Sequence, residues 1–103
     1  MDLTKEIKNE SVIIGIDNQF TIYEAASIKD EIIDCFENYN DLSIDFKRLE
    51  GFDITGIQIL YSALISAKQS GKKFKLLNMP YIAINLMIDA GLDPVKIFDY
   101  SQI

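Results

Sequence analysis

The chain has 103 residues, of which 49% are hydrophobic and 25% are charged, which is typical of one folded domain over residues 1–103 rather than of a disordered chain. Its formal net charge of −6 would repel phosphate backbones and anionic lipid head groups, so no nucleic-acid partner is expected. A single cysteine, Cys35, and the absence of histidine exclude an internal disulfide, a Cys/His metal cluster and histidine-dependent catalysis. We expect neither a metal nor a cofactor.

The first residues, from Met1 to Glu6, are polar and have no apolar segment of the kind found in a secretory signal. No apolar run approaches the roughly 18–20 residues that cross a bilayer, so direct membrane insertion is not expected. The cytoplasm is the predicted location.

The first half of the chain predicts two strands and one helix. Residues 1–10 are mixed and polar, which fits either a tail or a short edge strand. The β-branched run at 11–17 predicts a strand, and Asn18-Gln19 marks a turn. Apolar residues then recur in steps of three and four over 23–38, which predicts an amphipathic helix with Cys35 buried. The alternating residues 42–46 predict the next strand.

The second half continues the same alternation of elements. Residues 47–52, which include Gly51, are predicted to be a loop, and a helix is predicted over 55–70 with Gly71 at its end. A strand at 73–78 and a helix from Pro80 to about Ala90 follow, the helix ending at Gly91. A short final strand is predicted at 95–98. The order β-α-β-α-β-α-β predicts a largely parallel sheet with crossover helices.

The segment 53–58 is the most informative part of the sequence. Asp53 and Thr55 are both good helix N-cap residues, but the glycine directly after them is unusual. Glycine in a first helical turn costs about 0.5–1 kcal/mol relative to alanine, so Gly56 needs a reason. One interpretation is tight packing of Gly56 against the sheet. The other is a functional turn that displays a hydroxyl at the positive end of a helix dipole.

Several segments in this order resemble STAS domains, the fold of anti-sigma factor antagonists. Those proteins carry Asp-Ser-Ser-Gly followed by an apolar residue where the second helix begins. The corresponding residues here are Asp53, Ile54, Thr55, Gly56 and Ile57. The strand before the turn (42–46), the strand after the helix (71–78), the small-Gly-Leu turn (90–92) and the entry to the first helix (20–26) are similar too. The last of these resembles stand-alone STAS proteins of chemotaxis clusters.

The resemblance implies an α/β STAS fold with a four- to five-stranded, mostly parallel sheet and three to four helices. It also implies a non-enzymatic module that docks a protein partner, with Thr55 as phosphoacceptor. The partner would resemble a GHKL-type serine/threonine kinase that also acts as an anti-sigma factor. Ile54 departs from the family's serine. The residues expected to contact the partner are Thr21, Asp53, Ile54, Gly56, Ile57 and Gln58.

Two other interpretations stay open. The first is an unphosphorylated adaptor subunit of a lipid-transport ABC ATPase or of a chemotaxis or signalling assembly. The second is an enzyme that uses Asp45, Glu50 and Asp53, which are carboxylates near strand ends, where α/β folds place their sites. No nucleotide, metal or nucleophile motif accompanies these three carboxylates, so we expect no enzyme.

Overall fold

The structure, a computed structural model, describes residues 3–101, and within them it forms seven strands and four helices. In chain order these are β1 (Leu3–Lys8), β2 (Ser11–Ile16), β3 (Asn18–Phe20), α1 (Ala25–Asn38), β4 (Asp41–Asp45), β5 (Leu49–Phe52), α2 (Ile54–Ser70), β6 (Lys73–Leu77), α3 (Tyr81–Asp89), α4 (Pro94–Ile97) and β7 (Asp99–Ser101).

The strands form a five-stranded sheet in the order β1-β2-β4-β6-β7 and a separate two-stranded sheet of β3 and β5. Strands β2, β4, β6 and β7 are parallel, and β1 pairs antiparallel with β2 at one edge. The predicted α/β fold with a mostly parallel sheet is confirmed. Of the two interpretations of residues 1–10, the edge strand is right for 3–8, while Met1 and Asp2 lie outside the described residues.

The core lies between one face of the large sheet and the helices. Side chains alternate along β2 and β4, so that Val12, Ile14, Leu42 and Ile44 are buried while their neighbours are only partly covered. Right-handed crossovers between parallel strands that are added in one direction place the helices on one face of the sheet. Cys35 is buried in this core, as predicted. Among the described helices, none has the length and apolar character needed to cross a bilayer.

An ion-pair cluster fastens the edge strand to the first helix. The Lys5 ammonium on β1 contacts the carboxylate of Glu31 and lies 3.8 Å from the carboxylate of Asp34, both on α1. Its contact with Glu31 raises the pKa of Lys5 above its ordinary value. Strand β1 is therefore held in place both by its backbone pairing with β2 and by the side-chain contacts of Lys5 with α1.

Two short strands occupy segments that the sequence predicted as a turn and a loop. The predicted loop at 47–52 is wrong, because Leu49 and Phe52 are buried and form β5. The chain does turn at the predicted position, because Asn18 has a φ of 65° where it bends out of β2, but the short strand β3 that begins there was not predicted. Runs of three and four residues are too short for alternation to register as a pattern.

The predicted final strand at 95–98 is also wrong. Residues Pro94–Ile97 form α4, and the last strand comes later, at Asp99–Ser101. Proline at the first position of a helix is favoured because its missing N–H needs no partner there. A run of four apolar and polar residues cannot by itself distinguish one helical turn from a strand.

Candidate functional site

The start of α2 is set by the carboxylate of Asp53. This residue is the N-cap, with an extended backbone at φ −131° and ψ −176°, and its Oδ1 accepts a hydrogen bond of 2.9 Å from the backbone N–H of Thr55. An N-cap carboxylate satisfies one of the free N–H groups at a helix start and interacts favourably with the helix dipole. Of the two capping residues that the sequence allowed, Asp53 is therefore the one in use.

The second oxygen of Asp53 reaches a different loop. Its Oδ2 accepts a hydrogen bond of 3.0 Å from the backbone N–H of Ile22, in the segment 21–24 that leads into α1. The parallel pairing of Phe20 with Phe52, in β3 and β5, brings the two segments side by side. We call the segment 21–24 the α1 loop and the segment 53–56 the α2 turn. One carboxylate thus joins both.

Gly56 is required by packing inside the α2 turn. A Cβ atom added at Gly56 would lie 2.6 Å from Cε1 of Phe52 and 3.1 Å from the carbonyl oxygen of Phe20. Distances this short leave no room for any side chain. The interpretation of Gly56 as a close-packing residue is confirmed. The first turn of α2 therefore packs closely against β3 and β5, and this packing helps to fix the position of Thr55.

The two threonines of the site differ in what their hydroxyls do. The Thr21 hydroxyl donates a hydrogen bond of 2.8 Å to Oε1 of Glu24 and accepts one of 3.4 Å from the N–H of Tyr23, so it braces the α1 loop. The Thr55 hydroxyl, in contrast, has no hydrogen-bond partner among residues 3–101, although its backbone N–H is bound by Asp53. Thr55 is therefore half-buried with an unengaged hydroxyl at a helix N-terminus.

Around these threonines the surface is apolar and partly open. Ile22 is 64% exposed and Ile54 is 54% exposed, and the exposed Gln58 lies one helical turn beyond Ile54. The expectation that Ile57 contacts a partner is corrected by the structure, because its side chain is only 4% exposed and belongs to the core. An apolar side chain directly after the glycine faces inward at this point of the helix.

Of the other carboxylates near strand ends, Glu50 is exposed and Asp45 has structural contacts. Oδ1 of Asp45 accepts hydrogen bonds of 3.0 Å from the N–H of Lys47 and from Nδ2 of Asn78, and so joins the ends of β4 and β6. Within the described residues, no group of three or more carboxylate, cysteine or histidine side chains is placed to hold a metal ion. Asp45 is thus used to shape this edge of the sheet.

Sequence reasoning missed two contributors to the site. The N–H of Ile22 is a backbone group, and nothing in the sequence signals its bond to a carboxylate 31 residues away. Glu24 had a local signal, because Thr21 and Glu24 are spaced as in a capping box just before an apolar helical pattern. In the structure this pair forms a side-chain hydrogen bond one turn ahead of α1.

Solved structures of similar fold cover nearly the whole chain. A candidate anti-sigma factor antagonist from Thermotoga maritima is 17% identical, with a TM-score of 0.86 over 98% of this chain and 86% of that one. The unphosphorylated anti-sigma factor antagonist SpoIIAA is also 17% identical, with a TM-score of 0.78 over 98% and 89%. A serine-to-glutamate variant of RsbS from Moorella thermoacetica is 20% identical, with a TM-score of 0.77 over 100% and 88%.

At these identities the likeness shows the fold alone, and no curated protein sequence matches the chain significantly. The family is shown by a different comparison. The sequence profile described as "Mlab, STAS domain" matches residues 3–97, which include every strand and helix except β7, together with the α2 turn and the α1 loop. The chain therefore belongs to the STAS domain family.

Proposed function

We propose that this protein is a non-enzymatic antagonist module that docks a GHKL-type serine/threonine kinase, itself an anti-sigma factor, in the cytoplasm. The docking surface consists of Thr21, Ile22, Ile54, Thr55 and Gln58, held in place by Asp53 and Gly56. The kinase would bring ATP, magnesium and the catalytic base, so this chain would need no cofactor. Phosphorylation of Thr55 would then release the partner.

The observation that carries the proposal is the difference between the two hydroxyls. The Thr55 hydroxyl is without a hydrogen-bond partner among the described residues. Its entry into a kinase active site would therefore break no hydrogen bond of this side chain. The Thr21 hydroxyl would first have to leave Glu24 and the N–H of Tyr23. A phosphoacceptor must also approach ATP closely, and the exposed neighbours Ile54 and Gln58 leave the helix end open.

The direction of the switch follows from charge. A phosphothreonine carries about −1.5 to −2 charges at neutral pH. At position 55 it would lie beside the Asp53 carboxylate, which already accepts the Thr55 N–H. Two unit charges about 4 Å apart repel by roughly 1 kcal/mol in water and about 4 kcal/mol near a protein surface, whereas the helix dipole returns only about 0.3–1 kcal/mol. Repulsion by Asp53 outweighs the dipole gain, but it acts in the free protein as well as in the complex. Docking is weakened because the complex would bury the uncompensated phosphate charge against Ile22 and Ile54.

Intact mass measurement tests the proposal. The protein is incubated with a GHKL-type kinase of the anti-sigma factor class and with ATP, and we expect one added phosphate in the native chain and in Thr21→Val. Thr55→Val keeps the shape of the side chain without its hydroxyl, so it should remain unmodified while still binding the kinase. Modification of Thr55→Val, or its loss in Thr21→Val alone, would assign the acceptor to Thr21 instead.

The second candidate function is that of a constitutive adaptor subunit of a lipid-transport ABC ATPase or of a chemotaxis or signalling assembly. The exposed apolar pair Ile22 and Ile54 favours it, because an apolar surface of this kind is suited to a lasting contact without a charge switch. A pull-down from the native host separates the two functions. Recovery of an ABC ATPase or a receptor assembly with unmodified Thr55 would support the adaptor, and recovery of a GHKL kinase would support the antagonist.

A further inference from the structure

A groove with a volume of about 510 Å³ runs between α1 and α2 on the outer side of the helix layer. Small-molecule sites typically enclose about 300–1,000 Å³ and are mostly apolar with a few placed polar groups. The volume of the groove falls in this range, and most of its lining surface is apolar although seven of its twelve lining residues are polar. None of its apolar residues belongs to the docking surface. Its apolar lining consists of Ile32, Ile33, Phe36, Ile59 and Ala63, and its polar lining of Lys29, Glu37, Gln58, Ser62, Ser66, Ser70 and Lys72.

The direction and length of the groove follow from the topology. Both helices lead back from the carboxyl to the amino edge of the parallel strands, so they run in the same direction. Gln58 therefore lies at the end near the α2 turn, and Ser70 and Lys72 lie at the opposite end. A helix rises about 1.5 Å per residue, so the stretch from Gln58 to Ser70 is about 18 Å long. The acyl chains of one leaflet fill about half of a 30 Å hydrocarbon core, or roughly 15 Å.

The far end of the groove carries a positioned positive charge. Nζ of Lys72 donates a hydrogen bond of 3.1 Å to the carbonyl oxygen of Tyr39, and the side chain is half-buried. An ammonium has three N–H groups, so two are left for a ligand. Within residues 3–101 Lys72 has no ion-pair partner, although the chain as a whole is strongly acidic. The Ser70 hydroxyl lies at the same end.

We propose that this groove binds a free long-chain carboxylate, with its head group on the Lys72 ammonium and its chain along the floor toward Gln58. The apolar floor supplies burial for the methylenes, and the serines on α2 leave room because their side chains are small. Glu37, the acid that lines the groove, lies on α1 near the same end and acts against the head group by charge repulsion. Lys72 and Glu37 should therefore affect binding in opposite directions.

A titration of the ¹⁵N-labelled protein with sodium dodecanoate, below its micelle concentration, tests the ligand class by NMR. We expect saturable shifts confined to α1 and α2 residues along the groove. Decanoate should bind about fourfold more weakly, as expected for two methylenes that are half-buried. Dodecan-1-ol and dodecyltrimethylammonium, which lack the negative head group, should each bind at least tenfold more weakly, and dodecyl phosphate separates a carboxylate site from a general anion site.

Variants at exposed or half-buried positions test the orientation without removing core side chains. Lys72→Met should weaken dodecanoate binding about tenfold, and Glu37→Gln should strengthen it severalfold. Ser66→Phe should abolish binding by filling the groove. Lys73→Met, which removes a neighbouring lysine outside the groove, is the matched control and should bind as the native chain does. Equal binding of the cationic amphiphile, unchanged affinity in Lys72→Met, or shifts spread over the molecule would overturn the proposal.

Discussion

The carboxylate of Asp53 and the backbone N–H of Ile22 are joined by a hydrogen bond of 3.0 Å across 31 residues of sequence. The same carboxylate also caps α2 through the N–H of Thr55. One charged side chain therefore fixes both segments of the docking surface, and its two bonds are made by different oxygens. Anything that draws this carboxylate away from either N–H should loosen the α1 loop as well as the α2 turn.

Replacement of Asp53 should cost stability through both bonds. Asp53→Ala removes the cap and leaves the N–H of Ile22 without its acceptor, so we expect a loss of about 1–3 kcal/mol in the free energy of unfolding. Asp53→Asn keeps one acceptor oxygen but puts an amide donor in place of the other, so its loss should be intermediate. Urea unfolding of the three proteins measures this. Equal stability of Asp53→Asn and the native chain would mean that the bond to Ile22 contributes nothing.

Gly56→Ala should be destabilising although alanine is the better helix former. The propensity gain is about 0.5–1 kcal/mol, but the new Cβ would lie 2.6 Å from the buried ring of Phe52, and overpacking of this kind typically costs about 1–3 kcal/mol. Ser62→Ala, at an exposed position of the same helix, is the control and should be neutral or slightly stabilising. Unfolding midpoints of Gly56→Ala and of Gly56→Ala/Phe52→Leu compare the two effects. If Phe52→Leu costs as much stability in the Gly56→Ala background as it does in the native chain, the strain lies at the Phe20 carbonyl instead.

Thr55→Glu should disturb the α1 loop at a distance. Its carboxylate would compete with Asp53 for the N–H groups at the start of α2 and repel it, so the bond from Ile22 should open more often. We expect faster hydrogen exchange of the Ile22 amide and at least tenfold weaker binding of the kinase. Thr55→Val introduces no charge and should leave the Ile22 amide protected. Unchanged protection in Thr55→Glu would show that the two segments respond independently to charge.

The elements of the fold that the sequence predicts correctly are those with long periodic patterns. The helix at 23–38 and the strand at 11–17 have patterns of sufficient length, and the structure places α1 at Ala25–Asn38 and β2 at Ser11–Ile16. The strands β3 and β5 and the one-turn helix α4 were missed because their lengths of three and four residues give no periodicity. Their conformations depend on tertiary packing, as the burial of Leu49 and Phe52 shows.

At the candidate site, features that depend on neighbouring residues could be predicted from the sequence, and features that depend on tertiary packing could not. A cap from Asp53 or Thr55 and a tight environment for Gly56 were among the alternatives that the sequence allowed, because both are properties of a single helix start. The inward position of Ile57 and the bond between Asp53 and Ile22 were not, because each depends on how α2 lies over β3 and β5. The groove between α1 and α2 also needed the structure, since its two walls are some thirty residues apart in sequence.

Burial should make the thiol of Cys35 unreactive. The side chain is fully buried in the core, and this burial raises the pKa of the thiol. A disulfide reagent such as dithionitrobenzoate reacts with the thiolate, so labelling of the folded protein at pH 8 should be slower than in urea by several orders of magnitude. Cys35→Ala is the blank for the assay. Rapid labelling under native conditions would mean that α1 opens frequently.

The ion pair between Lys5 and Glu31 should give a small contribution to stability that disappears at alkaline pH. Contact with the Glu31 carboxylate raises the pKa of Lys5 above 10.5, so the folded state holds this proton more tightly than the unfolded state does. The contribution is therefore complete below 10.5 and is lost as the pH rises through the folded-state pKa. Because Lys5 is about one-third exposed, we expect no more than about 1 kcal/mol from the pair. The double-mutant cycle of Lys5→Met and Glu31→Gln, measured by urea unfolding at pH 7 and at pH 11.5, isolates this coupling from other effects of pH on stability. Equal coupling at both pH values would contradict the assignment.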